Sequence, residues 1–165
     1  MSWLAVTDAM ILLIVANLMP WALGRICGER WDAPLDCGMI WRDGRRLLGS
    51  HKTWRGLFAS LLGCGFAAGL LGMPWWLGVG FAALSMLGDS ISSALKRRRG
   101  REPGQDDIGL DQLPEALLPL IVLRDALSLG WKEILLVTTA FAILDYFSLH
   151  IRHPRRPSFE ADEGT

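Results

Sequence analysis

Between Gly88 and Leu113 the chain reads GDSISSALKRRRGREPGQDDIGLDQL. Asp89, Ser92, Ser93 and Lys96 fall at helical spacings of three, four and seven, so they share one helix face with Arg97 beside them. A second acid, Asp111, follows a loop and stands just ahead of another apolar run. Two carboxylates, two hydroxyls and a basic cluster can hold a phosphorylated ligand and its Mg2+. Hard oxygen donors suit the ion, and cations suit the phosphate oxygens. The same stretch also reads as a membrane helix that ends in an inner cluster of positive charge.

A second polar stretch closes the loop between Arg25 and Arg55, reading WRDGRRLLGSHKTWRG up to Gly56. Gly49 to Thr53 sets small residues and hydroxyls around the fixed charge of Lys52, where backbone amides can meet phosphate as the next helix opens. The GxxxxGK[ST] spacing of a P-loop is absent. Taken by itself, such a basic loop also serves as a topology signal.

The elements that position these residues are long apolar runs. Half of the 165 residues are apolar, eight are Trp, and the balanced charges are gathered in blocks rather than interleaved. A water-soluble domain mixes charge along amphipathic elements, so this pattern predicts an all-α, polytopic membrane protein with about five transmembrane helices and two cytoplasmic polar loops. The expected spans are 4–23, 56–73, 74–95, 114–130 and 133–149, in a single domain over 1–165, with 151–165 as a flexible tail. The N-terminus lacks the basic region of a signal peptide and reads as part of the first span.

Within the first span, Asn17 either joins helices through its amide or, with Pro20, shapes the floor of an inner site. The glycines of the second span suit close helix approach, and Pro74-Trp75-Trp76 reads as an outer turn with an aromatic belt. Arg124 and Asp125 interrupt the fourth span and suit a structural or interfacial role. Cys27, Cys37 and Cys64 show neither metal spacing nor a disulfide framework.

Lys and Arg count seven in the Arg25–Arg55 loop, five in the Gly88–Leu113 loop and three in the tail. Apart from Arg124 inside a span, the remaining segments hold only Lys132. The asymmetry places both long loops and the C-terminus in the cytoplasm and the N-terminus outside, in a multi-pass protein of the cell membrane. Both chemical segments then face the compartment that holds nucleotides.

GDSISSALKRR followed by LDQL, together with RRLLGSHKTWRG and the early NLMP, resembles the CDP-archaeol synthase family, the short five-span relatives of the phosphatidate cytidylyltransferases. The resemblance runs in order over nearly the whole chain. It implies Mg2+-dependent transfer of CMP from CTP to a membrane lipid phosphate, with release of pyrophosphate. Asp89 and Asp111 resemble the family's metal-holding acids, and Ser93, Lys96 and Arg97 its serine and basic positions near phosphate. Lys52, Thr53 and Arg55 match the KTWRG segment, Arg46 and Gly49 the part before it, and Asn17 and Pro20 the first-span asparagine and proline. Leu48 stands where an aromatic is expected, and Asp106 and Asp107 are additional acids.

The implied catalytic set is Asp89, Asp111 and Lys96, and the implied partners are CTP, the lipid phosphate and the bilayer, with no nucleic acid. Self-association into a homo-oligomer is left open. A lipid phosphate oxygen is already a nucleophile, so no Ser/His/Asp triad is needed, and none is apparent. The acid-rich signature of the CDP-alcohol phosphotransferases is absent. The other alternative is a small transporter or assembly protein without catalysis. A transporter is expected to carry midplane polar groups and internal repeats, whereas polar residues here gather at the cytoplasmic face.

Overall fold

Ser2 opens the first helix by accepting the backbone N–H of Ala5 on its hydroxyl, at 3.4 Å. Four more helices follow, and the order is α1 (Trp3–Cys27), α2 (Trp54–Leu70), α3 (Trp75–Arg98), α4 (Gln112–Val122) and α5 (Trp131–Arg152). The computed structural model describes residues 2–28, 30–40, 48, 52–98 and 112–152. The chain is all-helical, as its apolar runs predict. Outside the helices, Pro34 and Thr53 form an isolated antiparallel bridge.

Each helix packs on its neighbours in sequence, and α1 also reaches α3 and α5. The packing surfaces are made of small residues. On α2, Gly56, Ser60, Cys64, Gly65, Ala67 and Ala68 are buried. Phe58, Leu62, Phe66 and Leu70 recur every four residues on the other side and are all exposed. A water-soluble helix does the reverse. Small residues inside and large apolar residues outside are the arrangement of a helix solvated by lipid, where close backbone approach replaces hydrophobic burial as the packing force.

Two glycines show how close that approach is. A Cβ at Gly78 would overlap the backbone of Cys64 on α2, and one at Gly88 would overlap the carbonyl of Pro114 on α4. Polar atoms reinforce the α1–α2 seam. The Ser60 hydroxyl donates to the Ala16 carbonyl at 3.1 Å, and one turn on the Cys64 thiol donates to Leu12 at 3.5 Å.

By length and composition α1 and α3 can cross a bilayer, whereas α2 and the segment from Leu113 to Val122 are shorter apolar helices. The fourth run differs most from its expected extent. Its helix stops at Val122, and residues 123–128 fold as turns, with Ser128 at φ 54°. Pro119 inside α4 removes a backbone donor near that end. Arg124 and Asp125 therefore lie in the turn. The guanidinium donates to the Asp125 carboxylate at 3.0 and 3.1 Å, and its Cζ lies 5.1 Å from the ring centroid of Trp131. The pair anchors this turn to the start of α5.

Candidate active site

Thr53 builds the first wall. Its hydroxyl accepts the N–H of Gly56 at 3.2 Å and so caps α2. The backbone on either side is tied to the loop after α1, with Leu35 N–H donating to the Lys52 carbonyl at 2.6 Å and Trp54 N–H to Ala33 at 3.0 Å. This two-sided clamp fixes Lys52 and Arg55 at the entry to α2. Asp36 holds the next part of the loop, accepting Gly38 N–H at 3.0 Å and Leu48 N–H at 3.2 Å.

α3 supplies the opposite wall. It runs unbroken through Gly88 and Asp89, and the Asp89 carboxylate pairs with the Lys52 ammonium. Lys52, Thr53, Arg55 and Asp89 all line one cavity of about 420 Å³, floored by Pro20, Gly24 and Gly56. This lies within the size range of small-molecule sites, about 300–1,000 Å³. Glycines at the floor leave room for a ligand, and the charged groups stand on facing elements.

Arg55 is the most committed side chain of the site. Its Nη1 donates to the carbonyls of Gly28 at 2.9 Å and Arg30 at 2.5 Å, and its Nη2 pairs with Asp32 at 3.1 Å. The planar fork suits this triple role. Its Nε is buried with no hydrogen-bond partner among the described residues.

Of the residues singled out by sequence, Lys52, Thr53, Arg55 and Asp89 thus converge. Ser93 and Lys96 lie one and two turns beyond Asp89 and are buried, although neither lines the cavity. Ser92 uses its hydroxyl locally, donating to the Asp89 carbonyl at 2.8 Å. Asn17 is half-buried on α1, one turn before Pro20, and does not line the cavity. Arg46, Gly49, Asp106, Asp107 and Asp111 lie outside the described residues, as does the side chain of Arg97.

Trp21, Arg25, Asp32, Met86 and Ser90 also line the cavity and were not singled out. Arg25 carried a readable signal as the last-turn cation of α1, and it stacks 5.1 Å from the Trp21 ring centroid. Among the described residues no three His, Cys, Asp or Glu side chains gather as a metal cluster. Asp89 on α3 pairs with Lys52, and Asp32 on the loop after α1 pairs with Arg55.

Residues 4–75 match a family described as CarS-like, CDP-archaeol synthase. A CDP-archaeol synthase of Aeropyrum pernix is 36% identical over 149 residues, covering 84% of this chain and 81% of that protein. This chain belongs to the CDP-archaeol synthase family. The family protein of Sulfurisphaera tokodaii is 38% identical over 120 residues, covering 67% of this chain and 70% of its own length. That of Pyrococcus horikoshii is 37% identical over 109 residues, and the match spans only 60% of its length. A solved structure, described as an intramembrane enzyme for archaeal membrane lipids biosynthesis, superposes with a TM-score of 0.69 at 30% identity. The match covers 86% of this chain and 92% of that one.

Proposed function

We propose that this chain transfers CMP from CTP to a membrane lipid phosphate, giving a CDP-lipid and pyrophosphate in phospholipid biosynthesis. The name shared by its relatives points to an acceptor with ether-linked isoprenoid chains. The observation that carries this reading is the convergence of Lys52, Thr53 and Arg55 from one family motif with Asp89 from another around a single cavity.

The reaction needs two anions brought together in line. An oxygen of the lipid phosphate attacks the α-phosphorus of CTP and forms the new P–O–P link. The bond to the bridging oxygen of the β-phosphate breaks, and its electron pair leaves with pyrophosphate. No side chain has to create the nucleophile. The chain's task is to place the phosphates and offset their charge. Lys52 brings a compact ammonium to the cavity, and Arg55 brings a rigid guanidinium.

Asp89 fits Mg2+, which binds through one or two carboxylates and substrate phosphates while keeping several waters. Asp111 is the second ligand implied by the resemblance. When bound, the ion would neutralise phosphate charge and polarise the reacting phosphoryl group. The charge pattern further supports five crossings within a single domain, with the N-terminus outside and both polar loops and the C-terminus in the cytoplasm. The lipid headgroup then meets CTP at the inner face while its chains stay in the bilayer.

The deciding assay is cytidylyl transfer by the purified chain in detergent, with labelled CTP, Mg2+ and both ether-isoprenoid and diacyl lipid phosphates. Labelled CDP-lipid and pyrophosphate are expected, together with loss of product in Asp89→Asn. Absence of product with every lipid, from folded protein, would overturn the reading.

A further inference from the structure

Arg55 also lines a second cavity, of about 470 Å³, together with Leu23, Ile26, Cys27, Arg30 and Trp31. Arg55 is the residue that lines both this cavity and the one holding Asp89. Two guanidinium residues and no carboxylate contribute to the second cavity among the described residues. The rest of its wall is largely apolar and faces outward, with Ile26 80% and Trp31 87% exposed.

Trp31 is also held in an unusual backbone state, φ 63°. Bulky residues seldom adopt the left-handed region and remain there only where the surroundings fix them. Arg55 supplies that fixation, because it binds the Gly28 and Arg30 carbonyls before Trp31 and the Asp32 carboxylate after it. The indole is thereby presented away from the protein beside Ile26. An indole held outward beside apolar groups suits the membrane–water interface.

We propose that this second cavity seats the phosphate of the acceptor lipid. Arg30 takes the phosphate oxygens, the Arg55 guanidinium adds its positive charge to the same wall, and Leu23, Ile26 and Trp31 lie along the first carbons of the lipid chains. The proposal rests on the cytidylyl-transfer reading and gives its acceptor a place. Charge complementarity selects an anion, and the apolar wall selects a lipid over free phosphate. Acceptor and nucleotide would share the positive charge of one guanidinium, which offsets the repulsion between them.

Arg30→Gln and Trp31→Ser test the seat, since both side chains are exposed and neither supports the helix packing. The full chain in detergent is titrated with labelled dialkylglycerol phosphate, without CTP or Mg2+. Arg30→Gln should weaken binding about tenfold or more through the lost charge-assisted hydrogen bond. Trp31→Ser should weaken it by several-fold, and chain-free glycerol phosphate should bind far more weakly than the lipid. In the transfer assay the KM for lipid rises in both variants while the KM for CTP does not move.

Unchanged lipid binding in both variants, or equal binding of chain-free glycerol phosphate, would overturn the seat. Transfer by the wild-type chain with an unmoved lipid KM in both variants also removes the seat and leaves the transfer reading standing. Arg30-dependent lipid binding without any CMP transfer removes the transfer reading and keeps the seat.

Discussion

Lys52 and Asp89 stand 37 residues apart and form an ion pair across the cavity, joining the entry of α2 to the C-terminal half of α3. Each is the other's charge partner and each belongs to a different family motif. Their effects on the reaction are therefore coupled. Lys52→Met should lower transfer by about 10²–10³-fold, the scale of losing one preorganised charge contact to a transition state. Asp89→Asn should lower it at least as far. The double variant should be no worse than the weaker single one, because groups acting as a unit are non-additive. Additive losses in the transfer assay would show that the pair is incidental.

Replacing Arg55 by Lys keeps the charge and loses the fork. A lysine cannot hold the Gly28 and Arg30 carbonyls and the Asp32 carboxylate together. The loop around Trp31 should open to protease in Arg55→Lys while the helices keep their circular dichroism. Transfer should fall by about tenfold or more from the lost guanidinium geometry. Protease resistance equal to wild type would remove Arg55 as the loop's fastener.

Gly88 and Gly80 lie on the same helix and should respond oppositely to alanine. A methyl at Gly88 meets the Pro114 carbonyl, whereas one at Gly80 meets nothing within 4 Å. Gly88→Ala should destabilise by about 1–3 kcal/mol through overpacking. Gly80→Ala should be neutral or gain up to about 1 kcal/mol from helix propensity. Unfolding curves in mixed micelles measure both. Equal stability of the two variants would mean that α3 and α4 do not meet at Gly88.

The α1–α2 seam gives a smaller effect. Ser60→Ala removes the hydroxyl that reaches the Ala16 carbonyl and leaves the packing nearly unchanged. The expected loss is about 0.6 kcal/mol, with a ceiling near 1.7, as for other hydrogen bonds between membrane helices. The same unfolding measurement reads it, and a loss well above that range would point to a larger role for the seam.

The sequence by itself determined the all-helical class, the number of helices and four residues that line the cavity, Lys52, Thr53, Arg55 and Asp89. Blocked charges between apolar runs leave few alternatives, because a backbone in lipid must satisfy its hydrogen bonds internally. Helical spacing also puts Asp89, Ser92, Ser93 and Lys96 on one face without any tertiary contact.

Tertiary structure decided which of those residues meet. Ser93 and Lys96 share the face of Asp89, yet they are buried away from the cavity that Asp89 shares with Lys52 and Arg55. It also decided that α4 ends before Arg124, that Thr53 spends its hydroxyl on a cap, and that Arg55 fastens the strained loop at Trp31. Apolar periodicity could not show these features, because in lipid both faces of a helix are apolar. The crossing points are set instead by small residues such as Gly78 and Gly88, whose partners are fixed only when the helices pack.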